Sequence, residues 1–152
     1  MIPNGNPIFC RIGATTAISA YNSAVVTSDG VGNTGSNMTR AFNSDANNGS
    51  FVQKIRLHPH ATAANTTTTA TVIRVYYSTI GANNATTSAA DTSLIAEVLA
   101  PAVSASNATS QTNYIELPLG FAMGANTAIL VTFHHTFAAS TGWQVTTFGG
   151  HY

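Results

Sequence analysis

Between residues 51 and 148 the chain repeatedly alternates apolar and polar side chains, and no stretch sustains the longer period of an amphipathic helix. That alternation confines it to sheet architectures. The clearest segment starts at Phe51: Phe51, Gln53, Ile55 and Leu57 share one face of a strand, and Val52, Lys54, Arg56 and His58 share the other. Next, Thr71, Ile73, Val75 and Tyr77 oppose Val72, Arg74 and Tyr76, in a run of β-branched and aromatic residues that suits a pleated surface. Further strands are expected over residues 94–99, 114–119, 128–136 and 142–148, with weaker patterns over 9–20, 24–28 and 38–43. Gly, Pro, Asn and Ser clusters bound them, and the stretches 60–69 and 80–93 read as strand-connecting loops available for contact. Residues 88–101, rich in Ala and Leu behind the potential N-caps Ser88 and Asp91, are where a short helix competes with a strand. About eight or nine strands without intervening helices predict an all-β fold, an antiparallel β-sandwich of jelly-roll type.

A chain of 152 residues suits one domain, and no apolar run reaches the 18 residues of a membrane helix, so no membrane partner is expected. The first residues lack the basic and apolar regions of a signal peptide, which argues against export by that route. Residues 1–10, with Pro3 and Pro7 among several turn formers, read as an extended N-terminal arm laid against another surface; residues 11–152 form the sandwich. Candidate contact residues are Ile2, Pro3, Pro7, Ile8 and Phe9 in the arm, and Tyr152, which a bend at Gly149-Gly150 is expected to aim outward.

Only 7% of the residues are Asp, Glu, Lys or Arg, against about 25% in an ordinary soluble domain. Such a surface has little electrostatic protection against association. Five basic residues balance five acidic ones, which excludes the positive stripe that nucleic acid requires. No G-x-S-x-G elbow, phosphate loop or H-E-x-x-H is present, so no enzyme is expected. Asp29, Asp45 and Asp91 fall in loops; Glu97 and Glu116 fall on strands, where pairing with Lys54, Arg56 or Arg74 is their expected use. A glycosidase would instead need two carboxyl groups about 5 to 9.5 Å apart.

His58 and His60 share a strand face, as in the H-x-H pair of metal-binding cupins. Here Pro59 marks a strand end and Ala61-Thr62-Ala63-Ala64 follows in place of a Glu, so solvated or interface histidines are expected, with no cofactor. His134 and His135, if on a strand, point to opposite faces. Cys10 is alone and reads as a small buried apolar residue. The Asn-x-Ser/Thr sequons at Asn37, Asn48, Asn65, Asn84 and Asn107 follow from a composition rich in Asn and Thr. Tyr76, Tyr114 and Trp143 offer flat rings beside amide-rich loops, so a carbohydrate-binding module is the alternative function; the competing position for Trp143 is the core.

The closing residues, Gly142-Trp143, an alternating strand, Gly149-Gly150, His151 and Tyr152, resemble the ending of small β-sandwich proteins encoded beside capsid genes in tailed bacteriophages. The resemblance extends through 48–57, 71–77 and 94–98, roughly the last two-thirds of the chain. His151 departs from it, standing where the similar proteins carry an acidic residue. The resemblance implies a capsid decoration, or cement, protein: a structural virion component made in the host cytoplasm and placed on the outer capsid surface. Its implied partners are the major capsid protein and copies of itself, a homotrimer being favoured over a dimer.

Overall fold

The computed structural model describes residues 10–21, 38–63, 66–81, 91–108, 113–135 and 140–152, without side chains for 16–21. Residues 1–9, with Ile2, Pro3, Pro7, Ile8 and Phe9, lie outside them, as do the expected strand at 24–28, Asp29, and the sequons at Asn37, Asn65 and Asn84. Ten strands are described: β1 (Ile12–Tyr21), β2 (Thr39–Asn43), β3 (Ser50–Ala61), β4 (Thr66–Thr67), β5 (Thr71–Ser78), β6 (Thr92–Ala100), β7 (Ser104–Ala105), β8 (Ile115–Met123), β9 (Ala128–Phe133) and β10 (Thr141–His151). The expected strands among the described residues are all present; the two-residue pair β4 and β7 is additional. Residues 92–100, where a helix competed, are strand.

The pairings are nested. β1 pairs with β10, β2 with β9, β3 with β8, β4 with β7 and β5 with β6, all antiparallel, as if one long hairpin had been rolled up. Two further ladders, β10 with β3 and β5 with β9, close the roll into sheets of order β1-β10-β3-β8 and β2-β9-β5-β6, a jelly roll. The facing inner rows form the core: Phe42 from β2, Val52, Ile55 and Leu57 from β3, Ile73 and Val75 from β5, Ile129, Val131 and Phe133 from β9, and Trp143 and Val145 from β10. Burying one such side chain contributes about 1.5–3 kcal/mol, so these rows dominate the stability. β9 is buried on both faces, because Ala128 and Leu130 pack with Tyr76 and Met38 on the outside of its sheet.

Regular alternation fails in β3. Gln53 has no partner in the ladder with β10, where Val52 pairs with Gly149 and Lys54 with Phe148, and the ladder with β8 slips at the same place. The bulge turns the strand over, so Val52 and Ile55 both point inward at 0% exposure while Gln53 is exposed. The expected grouping of Phe51 and Gln53 with Ile55 and Leu57, and of Val52 with Lys54, Arg56 and His58, is corrected accordingly: Val52 joins Ile55 and Leu57 on the buried face. Gly120, at φ 62°, supplies the irregularity on the β8 side.

Two punctuation signals also act differently from expectation. β3 runs through Pro59 to Ala61; its ladder with β8 stops at Leu57, so the missing N–H of Pro59 breaks no bond on that flank. Gly149 and Gly150 make no bend but lie within β10, paired on both sides. A Cβ on Gly149 would meet the carbonyl oxygen of Phe51, and one on Gly150 would come within 2.7 Å of the Cys10 Cβ. Both glycines permit close approach of backbones.

Candidate functional site

The two sheets end on the same side of the sandwich in β8 and β6, each with a single neighbour among the described strands. The inward rows of these strands, Leu117, Leu119 and Phe121 on one and Ala96 and Val98 on the other, pack on the core yet remain half-buried. Between them opens a groove of about 290 Å³ lined by Tyr77, Ser93, Ile95, Ala96, Pro118, Leu119 and Phe121. Tyr77 and Phe121 meet edge to face in its wall, with ring centroids 6.0 Å apart. Among the described residues no charged side chain lines it. Beside it β6 leaves Leu94 (45%), Ile95 (37%) and Leu99 (68%) exposed. Pro118 and the Gly120 bulge blunt β8 as a pairing edge, whereas β6 runs nine residues without Pro, Lys or Arg.

A second concavity lies at one end of the sandwich, about 460 Å³, between residues 101–104 and 113–115. Trp143 forms part of its wall at 1% exposure, and among the described residues the indole Nε1–H, itself buried, has no acceptor. Tyr114 borders it at 54% exposure, with the Arg56 guanidinium 4.9 Å from its ring centroid. Of the three rings considered as a flat binding surface, then, Tyr114 and Trp143 line one concavity, and Tyr76 is buried elsewhere at 0% exposure.

Lys54, Arg56, Arg74, Glu97 and Glu116 are spent on one another. On the outside of the first sheet Glu116 accepts from Lys54 at 2.9 Å and from Arg56 at 2.6 Å; both hold its carboxyl below the ordinary carboxylate range. On the outside of the other sheet Arg74 pairs at 2.6 Å with Glu97, its direct cross-strand partner. These are the pairings expected from sequence. The two glutamates stand on opposite outer faces and do not make the facing carboxyl pair that glycoside hydrolysis needs.

His58 and His60 do share the outward, half-buried row of β3, opposite Gln144 and Gly142. Among the described residues no group of three or more His, Cys, Asp or Glu side chains comes together to hold a metal. His134 and His135 follow the end of β9, so strand alternation does not apply; their rings meet edge to face at 4.9 Å. Cys10 is exposed, contrary to the buried reading.

The last residues are tied to their own sheet. His151 stacks on Phe42 at 5.4 Å, and its Nδ1 lies 2.6 Å from the Ser50 hydroxyl, which also accepts the Asp45 N–H. Asp45 accepts the backbone N–H groups of Asn48 and Asn47, which hold its carboxyl below the ordinary range. Tyr152 is half-buried and donates its N–H to the Gly49 carbonyl at 3.3 Å.

Sequence reasoning placed β6 as a strand but missed the apolar groove at its flank. The available signal was a nine-residue strand holding Leu94, Ile95, Val98 and Leu99 with no gatekeeping Pro or Lys. Compared with protein-family models, with curated proteins and with solved structures, the chain matches none. The resemblance to decoration proteins therefore stands on the quoted residues alone.

Proposed function

We propose that this protein is structural: a capsid decoration protein that binds the outer shell of a bacteriophage, contacts the major capsid protein and copies of itself, and reinforces the particle. The observation that carries the reading is the apolar edge formed by β6 and β8, where Leu94, Ile95 and Leu99 are exposed beside an uncharged groove. Exposed apolar patches mark contact surfaces, and a shell offers the same contact many times over. Cementing needs no reaction. Subunits laid across capsomer junctions add buried area, and closed trimers or dimers both suit symmetric positions, the trimer being favoured.

Purified capsids of the encoding phage, mixed with the protein and sedimented, test this. The wild type is expected to saturate the shell and to raise its melting temperature. Ile95→Lys with Leu99→Lys, at exposed positions, is expected to lower occupancy while leaving the isolated domain folded. Removal of residues 1–10 is expected to weaken attachment in the same way. Absence of wild-type binding, or unchanged occupancy in the double variant, defeats the proposal.

A further inference from the structure

We propose that β6 pairs edge to edge with β6 of a second copy, joining their four-stranded sheets into one across a twofold axis. The inference rests on the reading of this edge as a contact surface and names the partner that covers it. Among the described strands β6 is last in its sheet, and Ser93, Leu94, Ile95, Glu97 and Leu99 are exposed along it, so the strand stands open to solvent. Three of the five exposed large apolar side chains among the described residues, Leu94, Ile95 and Leu99, fall on it. An open edge presents backbone N–H and C=O groups that accept another strand.

Charge selects a copy of the chain as that strand. Glu97, the charged residue of β6, already pairs at 2.6 Å with Arg74, and the chain has no net charge, so two copies meet without repulsion. A strand run antiparallel to itself also obeys the twofold rule that each residue contacts what contacts it. Ile95 is the extra residue of a bulge, since Val75 pairs with Ala96 and Tyr76 with Leu94, which leaves Ala96–Ala100 as the regular stretch. Full overlap of that stretch with its copy puts Val98 on the axis and Glu97 opposite Leu99 of the second copy. The two Glu97 carboxylates then do not face each other, and Leu99, at 68% exposure, gains cover. A strand paired with its own copy is twofold, so the contact between copies at this edge is dimeric.

Sedimentation equilibrium of the full chain, up to about 1 mM, is expected to show a monomer–dimer equilibrium. Leu99→Glu, facing Glu97 of the second copy, is expected to weaken the dimer at least about fivefold more than Leu99→Lys, which meets that carboxylate with opposite charge. Leu99 is exposed, so both variants keep the core intact. In a Cys10→Ser background, Val98→Cys is expected to give a disulfide-linked dimer on mild oxidation, because residues paired across an antiparallel ladder stand about 4.5–5.5 Å apart at Cα, within disulfide reach. Ser93→Cys, exposed on the same strand but off the axis, is expected to cross-link far less. A chain monomeric throughout, equal cross-linking at the two positions, or equal weakening by the two Leu99 variants overturns the pairing. The capsid reading is judged separately: a monomer that still saturates capsids removes the pairing alone, and a dimer that binds no capsid removes the capsid reading alone.

Discussion

Replacing Val52 and Gln53 in turn by alanine tests the bulge in β3 that decides which residues face the core. Val52 is 0% exposed and packs in the main cluster, whereas Gln53 is exposed. Val52→Ala removes two buried carbon groups worth about 0.8 kcal/mol each, and the residual cavity adds a comparable term, for about 2–3 kcal/mol in total. For a domain of this size, where each kcal/mol shifts the midpoint by about 2–4 °C, the melting temperature falls by about 5–10 °C. Gln53→Ala, at an exposed position, stays within about 0.5 kcal/mol of the wild type. Urea and thermal unfolding followed by the buried Trp143 fluorescence measure both. Unbroken alternation from Phe51 to Leu57 demands the reverse ranking, and a Gln53→Ala loss equal to or above that of Val52→Ala would falsify the bulge.

Gly149→Ala should destabilise by about 1–3 kcal/mol, because its Cβ would meet the Phe51 carbonyl oxygen, which cannot swing aside as a side chain can; Gly13→Ala, with nothing within 4 Å, should be near neutral in the same unfolding assay. Equal effects at the two glycines would contradict the close approach of β10 and β3. Asp45 has a folded pKa below its unfolded value, so its contribution is complete above the unfolded pKa of about 3.9 and is lost as pH falls through the folded value. The stability gap between wild type and Asp45→Asn should therefore close over that acid window, and a gap independent of pH refutes the turn assigned to Asp45. Glu116→Gln should show the same acid closure, and its effect should shrink in high salt, as expected for a surface network shared with Lys54 and Arg56.

How much of this was legible depended on whether local pattern or distant chain decided the matter. Strand positions were legible because β-branched runs between turn formers need only local information. The ion pairs were legible because so few charges leave few partners: Arg74 and Glu97 turn out to be register neighbours. The inner face of β3 was not, since alternation holds from Lys54 to Leu57 and the one local sign of a slip, apolar Val52 followed by polar Gln53, comes from a bulge made against Gly149 and Gly120 on other strands. Tyr76 was correctly placed opposite Val75 and Tyr77, but its burial depends on what covers the outside of the sheet. Nothing along the chain joins Tyr114 to Trp143; both line one concavity because β8 and β10 flank β3 in the same sheet. The exposure of Leu94 and Leu99 likewise follows from β6 being last in its sheet, a property of topology.

The nested pairing has a consequence for how the protein is made. β10 is the interior strand that separates β1 from β3, so during synthesis the first sheet cannot close until residues 141–151 have left the ribosome. Until then β1 lacks its ladder partner among the described strands, and β3 exposes the flank that β10 will cover. Among the described strands the first pair able to form is the innermost, β5 with β6, while the outermost ladder waits for a loop closure spanning most of the chain. Long-range β pairing of this kind folds in milliseconds to seconds. The nascent chain thus carries apolar strand edges for the whole time of its translation, and truncation within β10 leaves the first sheet without its middle.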